Sequence, residues 1–172
     1  GGLAMINSTP QLGNCTVQDN SAGTKGGGVY VGIGGNPALT RCVVSFAAAG
    51  GGIYGEATAV GATVSCCDVF GNAGGNYAGS ISDRTGIDDN ISADPVFCDA
   101  GVAPPDLAIS SLSPCAPALS PCAQLIGALG VGCVRGADLA IALVEFSDAH
   151  PAFGDSVRAT VKIRNVGELP AI

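Results

Sequence analysis

The sequence has no tryptophan and few aromatic, basic or charged residues. Phe and Tyr together make up 5% of its 172 residues, and charged residues make up 12%. Only 7 residues are Lys or Arg against 14 Asp and Glu, so the net charge is −7. This balance argues against a polyanionic partner such as nucleic acid. Apolar content built from Ala, Val, Leu, Ile and Cys, instead of large rings, suits thin and regular interior layers.

Long apolar runs and glycine-free amphipathic runs are also missing. No stretch reaches the roughly 18 apolar residues that a membrane-spanning helix needs, and the longest candidate, residues 123–134, is interrupted by three glycines. Runs of ten or more residues with helical periodicity are absent, which excludes helical repeats. The chain begins without Met or a signal peptide. We therefore expect a fragment of a longer polypeptide, whose N-terminus carries no information about the compartment.

What the sequence does contain is a repeat. Gly-Gly-Gly-(Val/Ile)-Tyr occurs at residues 26–30 and again at residues 50–54. Between such motifs, the pattern Pro-x-Leu-x-x-Cys-x-Val-x-x-Asn recurs with substitutions at residues 10–20, 37–47 and 62–72. A period of 24 to 27 residues indicates a solenoid.

Each period contains short alternating segments bounded by Gly, Pro and Asn, such as residues 29–31, 38–40 and 42–44. This pattern predicts three short strands per repeat. Three strands and three corners per turn form a parallel β-helix, in which each strand pairs with its equivalent one coil on, roughly 4.8 Å away. We therefore predict an all-β fold: a right-handed parallel β-helix over residues 1–134, with residues 78–134 as irregular closing coils.

Equivalent residues of a β-helix stack, so the repeat predicts interior columns. Glycine clusters are expected at a corner, where the backbone needs positive φ or close approach. Asn20 and Asn72 are expected at turns, where an amide bonds the backbone. The predicted columns are Leu12, Leu39 and Val64; Cys15, Cys42 and Cys67; Val17, Val44 and Val69; and Leu3, Val29 and Ile53.

The repeat resembles a known group. The segments that carry the resemblance are residues 14–17, 19–22 and 50–54, with residues 90–97, 113–116 and 126–130 similar to closing coils. They are similar to the right-handed β-helix repeats of large bacterial surface and secreted proteins. The resemblance covers roughly residues 1–134 and implies the fold, whereas the same scaffold carries lyases, adhesins and other proteins.

The sequence pattern changes after Cys133, from short glycine-bounded repeats to longer alternating segments. Residues 138–146 predict one strand and residues 156–165 a second, whose apolar and polar residues alternate as in an antiparallel sandwich sheet. Residues 137–139, 153–157 and 163–167 are similar to the start of the CARDB domain, an Ig-like sandwich related to bacterial cell adhesion. We therefore expect residues 135–172 to be the first strands of an incomplete CARDB-type domain. Two strands alone are marginal in water.

Seven of the eight cysteines fall into two groups, and Cys66 is adjacent to Cys67. Cys15, Cys42 and Cys67 are expected as buried small hydrophobes. Cys98, Cys115, Cys122 and Cys133 lie in the proline-rich closing region and predict disulfides in an oxidising compartment. The sequence leaves their connectivity open, and we favour Cys98–Cys115 with Cys122–Cys133. No metal site is expected, because the zinc alternative lacks a C-x-x-C pair and a nearby His.

The acidic residues do not form a recognisable site. Asp83, Asp88, Asp89, Asp94 and Asp99 match neither an EF-hand nor a nonapeptide calcium repeat, and a solvated loop is favoured over a Ca²⁺ site. Glycan-cleaving β-helix enzymes need paired carboxylates, or a metal and a base, on one outer face. No coil pairs two carboxylates, and the single His150 lies outside the helix.

The predicted outward positions are Thr16, Val43 and Asp68 on one sheet, and Ala4, Tyr30 and Tyr54 on another. We expect Lys25, Arg41, Glu56 and Asp68 to be isolated exposed charges, with carboxyl pKa values near about 4. We therefore predict no catalytic residues and no cofactor.

Tyr30 and Tyr54, with Tyr77 as a further candidate, are predicted to form an aromatic ladder that stacks on sugar rings or stabilises the strands. The expected function is a non-catalytic structural or adhesion module of a secreted or cell-surface bacterial protein. Its partner would be a glycan or a protein surface ligand. The alternative is the C-terminal part of a carbohydrate-active β-helix enzyme, a polysaccharide lyase or glycosidase, whose active site lies outside this chain.

Overall fold

A computed structural model describes residues 1–59, 61–101, 103–133, 139–147 and 158–165. The chain divides into two compact units, Gly1–Cys133 and Val134–Ile172. The described residues contain strands and turns and no helix. The all-β prediction is therefore confirmed for the part of the chain that the structure describes.

The first unit is a parallel β-solenoid of about five turns. Three stacked sheets run along it, with strand orders β1-β4-β7-β10, β2-β5-β8 and β3-β6-β9. All pairings within these sheets are parallel, and each strand is three residues long. The strands are β1 (Leu3–Met5), β2 (Gln11–Gly13), β3 (Thr16–Gln18), β4 (Val29–Val31), β5 (Ala38–Thr40), β6 (Val43–Ser45), β7 (Ile53–Gly55), β8 (Thr63–Ser65), β9 (Asp68–Phe70) and β10 (Tyr77–Gly79).

The predicted columns form the interior. Leu12 pairs with Leu39 and Leu39 with Val64, while Val17, Val44 and Val69 align in the next sheet. Leu3, Val29 and Ile53 stack in the third sheet, and Tyr77 continues that column. The register predicted from the repeat is confirmed, because every equivalent position pairs with its counterpart one coil on.

At two of the three corners of each coil, the turn begins with a left-handed residue. Asn14, Arg41 and Cys66 take φ values of 50°, 54° and 49° at one corner. Asp19, Phe46 and Gly71 take φ values of 53°, 54° and 65° at the next. These left-handed residues lie at equivalent places in successive coils, directly after the strand that each of them ends.

Glycines follow at the second of these corners, between β6 and β7, as predicted. Gly50 and Gly51 have φ values of 84° and 78°, which L side chains rarely adopt. A Cβ on Gly52 would lie 2.7 Å from both the Asn76 carbonyl oxygen and the Asn72 amide nitrogen. Here the repeated glycines provide both positive φ and room for the adjacent coil.

The interior also contains a bridging asparagine. The Asn72 side chain accepts a hydrogen bond from the Ala47 backbone N–H at 2.9 Å and donates to the carbonyl oxygens of Val44 at 3.0 Å and Phe70 at 3.1 Å. Asn90 repeats this arrangement one coil later, accepting from the Cys67 N–H at 2.9 Å and donating to the Val64 carbonyl at 2.8 Å. These amides pair the buried N–H groups of Ala47 and Cys67 at the corners.

A closing segment follows the regular coils. It contains β11 (Phe97–Asp99), β12 (Asp106–Ser110) and β13 (Val131–Cys133), in one sheet that mixes antiparallel and parallel pairing. Its buried side chains form a second apolar cluster with residues of the solenoid. The members of that cluster are Val43, Cys66, Phe97, Ile109, Cys115, Ala116 and Ile126.

The second unit contains an antiparallel strand pair, β14 (Leu139–Phe146) and β15 (Ala159–Asn165). Both predicted strands are therefore confirmed. Apolar residues on this pair stay exposed, with Ile141 at 69% and Ile163 at 62%. Residues 148–157 and 166–172, which carry much of the CARDB-like pattern together with His150, lie outside the described residues.

Candidate functional site

The most distinctive outward surface is a tyrosine ladder on the sheet of β1, β4, β7 and β10. Tyr30 pairs with Tyr54 across adjacent strands, and their rings stack with centroids 6.0 Å apart and planes 7° apart. The structure therefore brings together the two tyrosines that the sequence predicted. Tyr77 does not join them, because period-two alternation places it in the interior column beside Ile53 and gives the ladder position to Ala78.

An ion pair borders the ladder. Lys25 Nζ lies 2.8 Å from Glu56 Oε1, which also accepts a hydrogen bond from the Tyr30 hydroxyl at 2.9 Å. The ammonium group sits 4.9 Å from the centroid of the Tyr54 ring, within cation–π range. Lys25 and Glu56 are therefore partners, which corrects the expectation that both are isolated charges.

These contacts shift the titration of the groups in a consistent way. The hydrogen bonds from Lys25 and then from Tyr30 lower the pKa of Glu56. The hydrogen bond to Glu56 raises the pKa of both Lys25 and Tyr30. The pair therefore stays charged and mutually neutralised around neutral pH, and the phenol stays protonated.

A shallow cavity adjoins the ladder on the Tyr30 side. It has a volume of about 280 Å³ and is lined by Ala4, Ala22, Lys25, Tyr30 and neighbouring residues of the first coil. Ala4 pairs with Tyr30, so it occupies the next ladder position with a small and exposed side chain. Beyond the Tyr30 ring, the ladder therefore has an open place.

Asp68 is not the exposed outward charge that the sequence predicted. Its exposed fraction is 0%, and the neighbouring outward residue Val43 is also at 0%. The predicted inward–outward alternation along the strands was right, because Val43 pairs with Asp68 and both point outward from the solenoid. The closing segment covers this face, which buries both residues.

The buried carboxyl group of Asp68 has two polar partners. One oxygen accepts a hydrogen bond from the Ala93 backbone N–H at 3.1 Å, and the other accepts one from Cys115 Sγ at 3.3 Å. Burial raises the pKa of Asp68 to about 7, although both hydrogen bonds oppose this rise. Burial, followed by the charge of Asp68, raises the pKa of the Cys115 thiol, so that thiol remains the donor. The pair is sealed from solvent, which keeps it from contacting a substrate.

The disulfides differ from the favoured pairing. Cys98 bonds to Cys133 and Cys122 bonds to Cys66, while Cys115 is a free and buried thiol. Cys66 occupies a left-handed corner, next to the inward Cys67, and its side chain belongs to the apolar cluster under the closing segment. The Cys66–Cys122 bond therefore attaches the closing segment to the solenoid face, and Cys98–Cys133 joins β11 to β13 within that segment.

The cysteine column is confirmed as an interior feature. Cys42 and Cys67 are buried, and Cys15 is half-buried in the first coil. The Cys42 backbone N–H donates to Cys67 Sγ at 3.3 Å, and the thiols of Cys42 and Cys67 donate to nearby carbonyl oxygens. The side-chain hydrogen bond with Cys42, and then burial, raise the pKa of the Cys67 thiol. These thiols act as small packed side chains within the column.

The other polar side chains at the corners and in the acidic stretch form hydrogen bonds within the chain. Arg41 Nε donates to the Asn14 side-chain oxygen at 2.9 Å, and the Asn14 amide donates to the Leu125 carbonyl at 2.8 Å. In the acidic stretch, Asp83 and Asp94 accept hydrogen bonds from the backbone N–H groups of Thr85 and Val96. Within the described ranges, no group of three or more His, Cys, Asp or Glu side chains is arranged to hold a metal ion.

Among the residues that the structure describes, no helix has the length and hydropathy for crossing a membrane. Comparisons of the chain with protein families, curated proteins and solved structures gave no match.

Proposed function

We propose that this chain is a non-catalytic structural or adhesion module of a secreted or cell-surface bacterial protein. The observation that carries the proposal is the disulfide-attached closing segment, which covers the outward face of β3, β6 and β9 and buries Asp68. Asp68 is one of the few outward carboxylates of the solenoid. The cover packs an apolar cluster against the solenoid and leaves the tyrosine ladder as an open surface for a ligand.

Two disulfides support a location outside a reducing compartment, because such bonds persist mainly in secreted and cell-surface proteins. We propose a right-handed coil, since parallel crossover connections take that hand almost without exception. We also propose that β14 and β15 begin an Ig-like, CARDB-type sandwich. Exposed Ile141 and Ile163 support this, because further strands of a sandwich would cover them.

A second candidate is the C-terminal part of a carbohydrate-active β-helix enzyme whose active site lies on other coils. The specific observation that favours it is the pair of stacked tyrosines on an open face, since aromatic rings pair with the apolar faces of sugars. In that case this chain contributes binding and other coils contribute the chemistry.

The catalytic question is tested by incubating the chain with pectin and alginate, with and without Ca²⁺. We expect no release of unsaturated or reducing ends above background. Release that disappears in Glu56→Gln would contradict the proposal, because Glu56 is a carboxylate on the open face. The fold of the Glu56→Gln variant is checked in a sample without substrate.

The compartment is tested on protein recovered from its native source. Alkylation without reductant, followed by peptide mass spectrometry, should show Cys66 bonded to Cys122 and Cys98 to Cys133, with Cys15, Cys42, Cys67 and Cys115 free. Eight free thiols in freshly lysed cells would instead indicate a reducing compartment and refute the proposed location.

A further inference from the structure

We propose that the cavity beside Tyr30 is a subsite for one neutral pyranose ring, which stacks on the free face of Tyr30 and extends the tyrosine ladder by one position. This inference rests on the proposed role as a binding module and names its ligand class. We call this cavity, with Ala4 at its base and Tyr30 and Lys25 at its sides, the Tyr30 shelf.

The ladder geometry determines the orientation of the site. Successive ladder positions are Ala4, Tyr30, Tyr54 and Ala78, on four adjacent parallel strands. One face of the Tyr30 ring is occupied by the Tyr54 ring, with planes 7° apart. The other face is directed toward the first coil, where Ala4 pairs with Tyr30 and both residues line the cavity. A flat ring placed there would stack as Tyr54 does on the opposite face.

The size of the shelf suits one sugar ring. Its volume of about 280 Å³ lies just below the range of roughly 300–1,000 Å³ that holds drug-sized ligands. The aromatic face of Tyr30 complements the C–H face of a pyranose, and Lys25, whose ammonium group binds Glu56, lines the same cavity.

Charge favours a neutral sugar over a uronic acid. Glu56 neutralises Lys25 at 2.8 Å, and the exposed fraction of the Glu56 side chain is 26%. The chain as a whole carries a net charge of −7. A carboxylate on the ligand would therefore meet a local ion pair that is already satisfied and a negative protein, whereas a neutral pyranose avoids both costs.

The opposite end of the ladder does not offer the same space. A Cβ built on Gly79 lies 3.0 Å from Tyr54 Cζ, so the backbone of β10 approaches the ring closely. Lys25 also lies over the Tyr54 ring. Ala78 is therefore a matched control for Ala4, because both are alanines at the two ends of the same ladder.

The test is saturation-transfer NMR and titration with the methyl β-pyranosides of glucose, galactose and mannose, at concentrations up to about 50 mM, since a single-ring site binds in the millimolar range. The variants are Ala4→Leu, which fills the shelf from an exposed position, and Ala78→Leu as its control. Tyr30→Ala removes the ring, and Tyr30→Phe keeps the ring but removes the hydroxyl bond to Glu56. Circular dichroism checks that each variant keeps the fold.

We expect at least one of the three sugars to bind, with transfer strongest at protons on the C–H face of the ring. Ala4→Leu should abolish binding, and Tyr30→Ala should weaken it roughly threefold to tenfold, the range for losing a stacked ring. Ala78→Leu should bind within about twofold of the original chain, and Tyr30→Phe should bind more tightly than Tyr30→Ala because it keeps the ring.

Binding that survives Ala4→Leu would place the sugar elsewhere and overturn the shelf while leaving a binding function in place. Failure of all three sugars to bind would also overturn it. Tighter binding of glucuronic acid than of methyl β-glucopyranoside would overturn the neutral-ligand assignment. The proposed module function is judged separately, by the cleavage assay and the disulfide mapping described above.

Discussion

Replacing Asp68 with Asn should remove a pH-dependent weakness of the solenoid. In the folded chain, burial raises the pKa of Asp68 from 3.8 to about 7. Because the folded pKa lies above the unfolded one, the folded chain holds a proton in this interval that the unfolded chain has lost. The contribution of Asp68 to stability is therefore fully present below about pH 3.8 and is lost as the pH rises to about 7.

The magnitude follows from the size of the shift. About three pKa units at 1.36 kcal/mol each give roughly 4 kcal/mol as the largest loss of stability between about pH 4 and pH 7. This is a large part of the roughly 5–15 kcal/mol that stabilises a typical domain. Asn keeps the shape of the side chain and its acceptor for the Ala93 N–H, but it carries no charge at any pH. We therefore expect Asp68→Asn to be more stable than the original chain by up to about 4 kcal/mol at pH 8.

The assay is urea unfolding with the disulfides intact, at intervals from pH 4.5 to 8.5. The original chain should lose stability up to about pH 7 and then level off, whereas Asp68→Asn should show a much flatter profile. Asp89→Asn, at an exposed position in the same acidic stretch, is the control and should follow the original chain. An Asp68→Asn profile that parallels the original chain, or that lies below it at pH 8, would refute the predicted cost of burying the charged carboxyl group.

Two further predictions concern the closing segment and the interior. Asn72→Ala should destabilise the chain by roughly 1–3 kcal/mol in urea, because it leaves the buried Ala47 N–H unpaired. Asn20→Ala, which loses one bond to the Gln18 carbonyl, should cost under about 1 kcal/mol, and equal costs would contradict the bridging role. The Cys66→Ser/Cys122→Ser double variant should speed amide exchange at Asp68 and Ile91, measured by mass spectrometry, because the closing segment loses its covalent attachment. Cys98→Ser/Cys133→Ser should speed exchange mainly in β11–β13, and identical exchange maps would argue against separate roles for the two bonds.

The regular coils could be predicted from the sequence because their contacts are between equivalent residues. Leu39 has Leu12 on one side and Val64 on the other, so the repeat period alone gives its partners. The same reasoning gave the ladder of Tyr30 and Tyr54. In a solenoid each coil contacts its neighbours, so the spatial partners of a residue lie one period away in sequence.

The closing segment could not be placed in this way because it has no repeat. Asp68 alternates correctly with the inward Cys67 and Val69, and an outward charge normally faces water. The signal against exposure was Val43, an apolar residue at the equivalent outward position one coil earlier. The adjacent Cys66 and Cys67 also indicated a covered face. Only Cys67 fits the interior column, so Cys66 points to the other side of the corner, into the cluster under the closing segment.

The closing segment covers the face of β3, β6 and β9, so a ligand can contact outward side chains only on the other two sheets of the described solenoid. The sheet of β2, β5 and β8 presents small polar groups, such as Thr40 and Ser65, whose hydroxyl oxygens lie 3.5 Å apart. Arg41 at its corner is held by Asn14. Binding sites usually depend on aromatic or arginine anchors that are free to pack against a partner, and this face offers none among its described residues. The stacked rings of Tyr30 and Tyr54 are such anchors, and the Lys25–Glu56 pair fixes the groups around them. A ligand recognised by side chains of the described solenoid is therefore expected on the tyrosine face.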